Sequence, residues 1–368
     1  MELSKLGNDT KMGKELMDIY SDYLIYQNKY ATATGLSDLL PNDISHDQVT
    51  RLLNGSLLDS KALWQYIKAE VRRHEMKSGG VLILDDTIEE KPYTDKNEIM
   101  CWHHCHTKNR HIKGVNILSC LVRYGDITFP VGYEIVHKDR QFSEVASKQL
   151  KRTTSITKNQ HFRNLIEQCS KNQILFDYVL ADNWFGAKEN LDYIHHDLKK
   201  NFIIGLKANR TIALSESEKR AGKFQQVSAL DMEDGQAKIV WLKGNSFPIT
   251  LIKKVFKNED DSIGTLYLAS NDLSTDAQTL YHIYQKRWQI ELYHKSIKQN
   301  ASLAKSPTKR VRSQSNHIFA SIMAFCKLQI LQLATAANHF ALKYKLLVIS
   351  NLAAMKELQN LRSKSSTA

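Results

Sequence analysis

The sequence predicts an α/β fold in which a mixed β-sheet carries helices on both faces. Between about residues 78 and 206, short apolar runs typical of buried strands alternate with helical segments. The first seventy-odd residues and everything after Ala277 have helical patterns instead. This arrangement predicts a sheet-based domain that follows an N-terminal helical domain and ends in helices.

Composition and charge restrict the class of protein. Of the 368 residues 42% are apolar and 24% are charged, which is ordinary for a soluble globular chain. No predicted membrane span or secretory signal is evident, and an odd number of cysteines, five, argues against a disulfide framework. These observations predict a cytoplasmic protein. The net charge of +12 favours a polyanionic partner but leaves ribosomal, membrane-surface and nucleic-acid roles open.

The N-terminal region, residues 1–77, is predicted to contain three helices, Lys11–Tyr30, Ser45–Asn54 and Leu58–Lys77. Ser45 and Gln48 have the spacing of a capping box, and Gly55 ends the second helix. The region reads equally well as a helix-turn-helix that binds DNA ends or as a small bundle packed on the main domain.

The predicted core, residues 78–206, has a defined order of elements. It consists of a strand, a hairpin of two strands, a helix, a strand, a helix and a strand: Val81–Leu84, Val115–Tyr124, Ile127–Val136, Lys158–Lys171, Asp177–Ala181, Ala187–Lys199 and Phe202–Leu206. Three strands, helix, strand, helix and strand is the order of a ribonuclease-H-like mixed sheet.

A β-rich insertion is predicted at residues 207–272, between the last core strand and a long helix. Its candidate strands are Ile239–Leu242, Ile249–Val255 and Thr265–Leu268. Residues 273–335 then complete the core with helices, and residues 336–368 form a helical tail. The apolar spacing of helix Asn316–Ala334 indicates core packing.

Carboxylates stand where such a sheet would bring them together. Asp85 and Asp86 end the first strand, Asp182 ends a later one, and Glu291 lies on the helix after the insertion. Hard divalent ions prefer oxygen ligands, and two such ions can activate a hydroxyl and stabilise a leaving oxygen. An Asp after a single strand is more commonly a turn or cap residue, so the order of the three sites carries the prediction.

The helix that bears Glu291 has a more specific pattern. Tyr284, Arg287, Glu291 and Lys298 have the spacing Y-x2-R-x3-E-x6-K, and Lys295 borders them. At about 100° per residue, the four side chains project from one stripe about 60° wide. An ordinary solvated face explains an Arg–Glu pair four residues apart, but it does not require the Tyr and the Lys. The pattern favours a metal-binding carboxylate among phosphate-binding donors.

The segments Leu84-Asp-Asp-Thr87 and Ala181-Asp-Asn183, with the Tyr284–Lys298 signature, resemble insertion-sequence transposases of the DDE class. Specifically, they resemble the group marked by a Tyr-Arg-Glu-Lys motif. The resemblance extends from about Val81 to Leu333. It implies a ribonuclease-H-like core, a strand-rich insertion before the Glu, and two Mg²⁺ or Mn²⁺ ions.

The resemblance also implies catalytic, metal-binding roles for Asp86, Asp182 and Glu291. Asp86 is preferred to Asp85 because the family's first Asp directly precedes a Thr; strand alternation does not decide between them. A water would cut one strand at each element end, and the freed 3′-hydroxyl would attack the opposite strand or target DNA. Two protomers would pair the terminal inverted repeats of double-stranded DNA, in a bacterial cytoplasm.

Residues 286–312 contain eight Lys or Arg and one acidic residue, Glu291. This imbalance predicts a track for the DNA backbone, although a solvated loop would have a similar composition. With Tyr284 and Arg287, the predicted DNA-binding and phosphate-binding residues are Lys295, Lys298, Lys309, Arg310 and Arg312. Trp184 and Trp288 are either base-stacking surfaces or core residues.

The segment Cys101-Trp-His-His-Cys-His106, with His111, invites a zinc interpretation. Its crowded spacing favours a polar connection leading to Val115, one that could touch DNA. Two functional alternatives stay open for the chain as a whole. One is a metal-dependent nuclease that cuts without strand transfer, and the other is a catalytically silent DNA-binding protein.

Overall fold

The structure, a computed structural model, describes residues 11–105, 110–143, 150–258 and 260–365. The strands are β1 Val81–Glu90, β2 Cys101–Cys105, β3 Arg110–Tyr124, β4 Ile127–Ile135, β5 Arg140–Ser143, β6 Leu150–Thr153, β7 Tyr178–Ala181, β8 Asn201–Leu206, β9 Thr211–Ala213, β10 Gln225–Gln226, β11 Ala237–Leu242, β12 Pro248–Lys257 and β13 Ile263–Ser270. The helices are α1 Lys11–Tyr26, α2 Ala33–Leu39, α3 His46–Leu53, α4 Ser60–His74, α5 Lys158–Lys171, α6 Lys188–Asp192, α7 Glu216–Arg220, α8 Ala277–Gln285, α9 Gln289–Gln299, α10 Val311–Thr335 and α11 His339–Ser365.

The chain divides into two compact units. The first, which we call the sheet unit, comprises Lys68–Thr87 and Asn116–Leu292. The second, which we call the helical unit, comprises Met1–Ile67, Ile88–Val115 and Tyr293–Ala368. The N-terminal helices therefore share a unit with α10 and α11, a grouping that the order of the sequence does not suggest.

The centre of the sheet unit is parallel, as expected for strands buried on both faces. Val81–Leu84 of β1 pair in parallel with β7, and β7 pairs in parallel with Asn201–Ile204 of β8. These segments are apolar and almost entirely buried. The predicted hairpin is confirmed as β3 and β4, joined at Gly125, whose φ of 54° suits a residue without a side chain. The mixed sheet is consistent with a ribonuclease-H-like core.

The β-rich segment extends the same sheet. Tyr267–Ser270 of β13 pair antiparallel with Ile203–Leu206 of β8. Beyond β13, the strands follow in the order β12, β11, β9 and β10. The edge of β8 that faces away from β7 has backbone N–H and C=O groups that need hydrogen-bond partners, and β13 provides them.

The helix predicted over Ala187–Lys199 is present as α6, which continues into a π-helical turn at Tyr193–Asp197. In that turn Leu198 N–H bonds to the carbonyl of Tyr193, five residues earlier, and His195 stacks on Phe247 with ring centroids 3.8 Å apart.

The polar connection predicted around Cys101 is instead the strand β2, paired antiparallel with Arg110–Gly114 of β3. Alternation sends Cys101 and His103 to the buried side and Trp102 and His104 to the exposed side. His106 lies outside the described residues, and no group of three or more His, Cys, Asp or Glu suited to a metal occurs among those described. The zinc interpretation therefore finds no support.

Helix α10 is the core of the helical unit, as its apolar spacing predicts. His317 is fully buried, lies 2.9 Å from Tyr20 Oη and 3.0 Å from the carbonyl oxygen of Ser302, and has its pKa lowered to about 4 by burial. Asn316 donates to the backbone carbonyls of Leu53 and Ser56, which ties the turn after α3 to α10. The N-terminal helices are thus anchored by buried polar contacts as well as by apolar packing.

By length and composition α10 would also suit a membrane span, contrary to the expectation that no segment would. Most of its apolar stretch is buried inside the protein, which marks it as a core helix.

Candidate active site

The strand register brings Asp85 and Asp182 side by side. Leu84 of β1 pairs with Ala181 of β7, and each Asp is the next residue of its chain. Residues at the same level of parallel strands project to the same face, so both carboxylates leave the sheet together. Asp86, one residue further, projects to the opposite face. This register is the first element of the candidate site.

Glu291 is linked to Asp85 by Arg287, which contacts both carboxylates. The Nη1 atom of Arg287 lies 3.0 Å from Oδ2 of Asp85 and 3.6 Å from Oε1 of Glu291. The positive charge of Arg287 also acts on Asp182, opposing the rise of its pKa. Arg287 therefore contacts two carboxylates, Asp85 and Glu291, and acts electrostatically on a third, Asp182; all belong to the sheet unit.

The electrostatics indicate a site that lacks positive charge. Burial, together with the negative charge of Asp182, raises the pKa of Asp85 to about 8, and the positive charge of Arg287 opposes the rise. Burial also raises the pKa of Asp182, against the hydrogen bond from Trp184 N–H. Perturbed carboxylates that gather at strand ends are typical of functional sites.

Asp86 has contacts of its own, and its negative charge also raises the pKa values of Asp85 and Asp182. Its carboxylate accepts a hydrogen bond from the side chain of Asn116 on β3, and Lys158 Nζ lies 2.8 Å from Oδ2. Lys158 begins α5, which Thr157 caps. Asp85 is therefore the carboxylate that contacts Arg287, whereas Asp86, which the family pattern prefers, contacts Asn116 and Lys158.

Tyr284 and Arg287 do not lie on a continuous α-helix with Glu291. Residues Lys286–Trp288 form a 3₁₀ turn between α8 and α9, which changes the angles assumed for a regular helix. Tyr284 is buried, which raises its pKa to about 12, and Arg287 lies over its ring, 5.9 Å from the centroid. The ring of Tyr284 therefore packs against the guanidinium group of Arg287.

The predicted phosphate-binding lysines of α9 lie in the helical unit. Lys298 Nζ donates to the carbonyl oxygen of Ile88, 2.9 Å away, and Lys295 Nζ is 5.4 Å from the ring centroid of Phe340. In this structure Lys298 supports the end of β1.

Three residues of the predicted track are exposed, Lys309, Arg310 and Arg312. Lys91 contacts the segment just before them. Its Nζ donates hydrogen bonds to the carbonyl oxygens of Ala304 and Ser306 at 2.6 and 3.2 Å. Burial lowers the pKa of Lys91, and the charge of Lys305 lowers it further. A buried lysine thus fixes the backbone of a basic surface segment.

Trp184 is an exposed aromatic residue beside the carboxylates. Its N–H donates to Oδ1 of Asp182 at 2.9 Å, and its side chain is 41% exposed. The ammonium groups of Lys158 and Lys207 lie 5.3 and 5.2 Å from its ring centroid. Lys158, Lys207 and Asn116 were not predicted from the sequence, because no local pattern marks residues brought together by the sheet.

The donor set suits a hard divalent cation. Asp85, Asp182 and Glu291 offer only carboxylate oxygens, the ligands that Mg²⁺ and Mn²⁺ prefer. In this structure, however, Arg287 contacts both Asp85 and Glu291, and the described residues contain no group of three or more His, Cys, Asp or Glu side chains placed to hold a metal ion. Binding a cation would therefore require these carboxylates to move closer together.

Two family models match the chain. The model described as DDE superfamily endonuclease matches residues 4–223, and the model described as transposase DDE domain matches residues 139–326. Each covers more than half of the chain, so the protein belongs to the DDE superfamily of nucleic-acid-cleaving enzymes. Within that superfamily it is a DDE-class transposase. No curated protein matches the chain.

The raised pKa of Asp85 predicts a pH-dependent stability. Because its folded pKa of about 8 exceeds the ordinary Asp pKa of 3.8, the folded state keeps a proton that the unfolded chain releases. The resulting stabilisation is complete below about pH 4 and is lost as pH rises through 8. Asp85→Asn, which cannot titrate, should therefore gain in melting temperature relative to wild type between pH 5 and pH 9, in EDTA.

Differential scanning fluorimetry across this pH range measures the effect, and Asp126→Asn, on an exposed turn, is the control. A melting-temperature difference that stays constant from pH 5 to pH 9 would show that Asp85 is not held with a raised pKa.

Replacing Arg287 should affect DNA cleavage and metal binding differently. Arg287→Ala should slow DNA cleavage by roughly a hundredfold, the effect of misplacing reacting groups by about 1 Å. Its Mn²⁺ affinity should not weaken, because the three carboxylates remain and a competing cation is removed. The matched control is Arg220→Ala, since Arg220 also pairs with a Glu four residues away, Glu216, but on α7.

Mn²⁺ titration by calorimetry, run beside single-turnover cleavage, separates the two effects. Weakened Mn²⁺ affinity in Arg287→Ala would recast Arg287 as a support of the metal site.

Proposed function

We propose that this transposase cuts DNA at the ends of its own mobile element and joins the freed 3′ ends to target DNA. Two Mg²⁺ or Mn²⁺ ions are held by Asp85, Asp182 and Glu291. The observation that carries the proposal is that Arg287 contacts Asp85 and Glu291 and that its charge also acts on Asp182. Membership of the DDE superfamily supports the cutting of nucleic acid.

The metal-binding set differs from the family pattern in its first member. Asp85 replaces Asp86 because it shares a face with Asp182, whereas Asp86 is engaged by Asn116 and Lys158. Asp86 then has an indirect role, which is to hold Lys158 beside Trp184.

When bound, the ions activate the attacking hydroxyl and stabilise the leaving oxygen. The residues of the chain supply position and charge. When no metal ion is present, the positive charge of Arg287 offsets part of the negative charge of the carboxylates. When a metal ion binds, the guanidinium group becomes available to bind a phosphate. Tyr284 packs against the guanidinium and restricts its movement. Trp184, with a lysine on either side, offers a face on which a nucleobase can stack.

The exposed basic segment and the N-terminal helices complete the proposal. Lys309, Arg310 and Arg312 bind the DNA backbone, and residues 1–77 recognise the element end. Two protomers assemble on the paired inverted repeats.

The test uses a duplex with the element end from the DNA that flanks the gene, and a supercoiled target plasmid. Wild-type protein with Mg²⁺ or Mn²⁺ should nick the end and produce joined products. Nicking without joining would identify a nuclease on the same fold, and binding without nicking would identify a silent DNA-binding protein.

A further inference from the structure

We propose that the hairpin of β2 and the first part of β3, which we call the ribbon (Cys101–Cys105 with Arg110–Gly114), is a second DNA-binding surface that contacts a groove of duplex DNA. The inference rests on the proposed function, because the duplex in question is the one that the active site cuts.

The ribbon has one buried and one exposed face. Trp102 lies opposite Lys113 and His104 opposite His111, so all four share a face. Trp102 is 47% exposed and both histidines are exposed, while the opposite face contributes the buried Cys101 and His103. A large aromatic residue left half in water, surrounded by cationic or neutral nitrogen donors, suits a polyanionic partner better than an acidic or apolar one.

Two lysines lie close to Trp102. Lys96 Nζ lies 5.9 Å from its ring centroid, and Lys113 is directly across the ladder. Lysine and tryptophan side by side provide a phosphate contact and an apolar surface for sugar or base edges.

The ribbon is continuous with the basic segment already assigned to DNA. The side chain of Asn97 donates to the carbonyl oxygen of Lys309 at 3.3 Å, and Lys309 Nζ lies 3.6 Å from Asp95. Asn97 also accepts hydrogen bonds from the N–H groups of Ile99 and Met100, which lead into β2. One DNA backbone can therefore follow both features without leaving the helical unit.

The base of the ribbon is rigid. A side chain at Gly114 would meet the carbonyl oxygen of Glu89 at 2.1 Å, so only glycine permits this approach of β3 to β1. The N–H of Lys91 bonds to the carbonyl of Lys113 at 2.9 Å. A two-stranded ribbon of this kind fits the major groove of B-DNA, which is about 12 Å wide.

The test measures the affinity of the full-length protein for a duplex of about 30 base pairs, roughly three helical turns, and for a single strand of equal length. EDTA is present to prevent cleavage. The variants are Trp102→Ala, Trp102→Phe and Lys113→Ala. Tyr344→Ala and Lys345→Ala are matched controls, an exposed aromatic and lysine on α11 of the same unit. Thermal melting verifies that each variant folds.

Trp102→Ala should weaken duplex binding about tenfold, the lower part of the range for losing an aromatic contact, and Trp102→Phe should restore most of it. Lys113→Ala should lower the slope of log K against log salt by about 0.9. The control variants Tyr344→Ala and Lys345→Ala should bind the duplex with an affinity within about twofold of wild type. Duplex affinity and salt slope equal to wild type in the ribbon variants would overturn the proposal, as would losses confined to the single strand.

Nicking of plasmid by the wild-type protein in Mn²⁺ is measured separately. Absence of nicking together with weaker duplex binding by the ribbon variants would reject the catalytic proposal and keep the ribbon. Nicking with unaltered binding by those variants would do the reverse.

Discussion

Asp85→Asn should abolish DNA cleavage, and the loss should exceed that of Asp86→Asn. The reason is the register of β1 and β7, which places Asp85 beside Asp182 and within 3.0 Å of Arg287. Removing one carboxylate from a two-metal site costs several kcal/mol of transition-state stabilisation, or roughly a thousandfold or more in rate. Asp86→Asn keeps the shape of the side chain that Asn116 and Lys158 contact, and it should cost about 10- to 100-fold.

Single-turnover nicking with saturating DNA and Mg²⁺ compares the two variants, which serve as controls for each other because they are neighbours with the same substitution. Duplex affinity in EDTA should stay within a few fold of wild type for both. An Asp86 variant that is less active than the Asp85 variant would return the metal-binding role to Asp86, as the family pattern implies.

The choice between Asp85 and Asp86 shows what the sequence could not predict. Both follow an apolar strand that is buried on both faces, so no polar alternation marks which side chain points to the active face. The choice depends on the register with β7, a strand nearly a hundred residues later, and on Arg287, more than two hundred residues later. Sequence spacing carries information about neighbours on one element but little about such pairing.

The elements themselves were more predictable. The buried strands β1, β7 and β8, the hairpin of β3 and β4, and helix α5 follow from apolar runs, a Gly-Asp turn and capping residues. The ribbon was missed because Cys101–Cys105 consists of polar, aromatic and sulfur-containing residues whose alternation becomes clear only from the burial of Cys101 and His103.

The signature helix was predicted in part. Tyr284, Arg287 and Glu291 do lie together, but the 3₁₀ turn at Lys286–Trp288 interrupts the regular helix on which the stripe was calculated. Lys298 lies beyond that turn and binds the backbone of Ile88. The turn contains neither Pro nor Gly, so no residue in it marks the interruption in the sequence.

Glu291→Gln should eliminate cleavage while leaving DNA binding intact. The substitution preserves size and hydrogen-bonding shape and removes one negative charge from the cluster around Arg287. Glutamine is a far weaker ligand for a hard cation, so we expect a rate loss of about a thousandfold or more, corresponding to several kcal/mol. Mn²⁺ affinity should fall as well, which distinguishes Glu291→Gln from Arg287→Ala, whose Mn²⁺ affinity is expected to persist.

The matched control is Glu216→Gln. Glu216 lies in the first turn of α7 and pairs with Arg220 four residues away, just as Glu291 lies in the first turn of α9 and pairs with Arg287. Both pairs belong to the sheet unit, so the control reproduces the loss of a local Glu–Arg pair without touching the carboxylate cluster. Glu216→Gln should cleave at the wild-type rate. Cleavage by Glu291→Gln at a rate within tenfold of Glu216→Gln, with unchanged Mn²⁺ affinity, would show that Glu291 holds only Arg287 and that a different group completes the metal site.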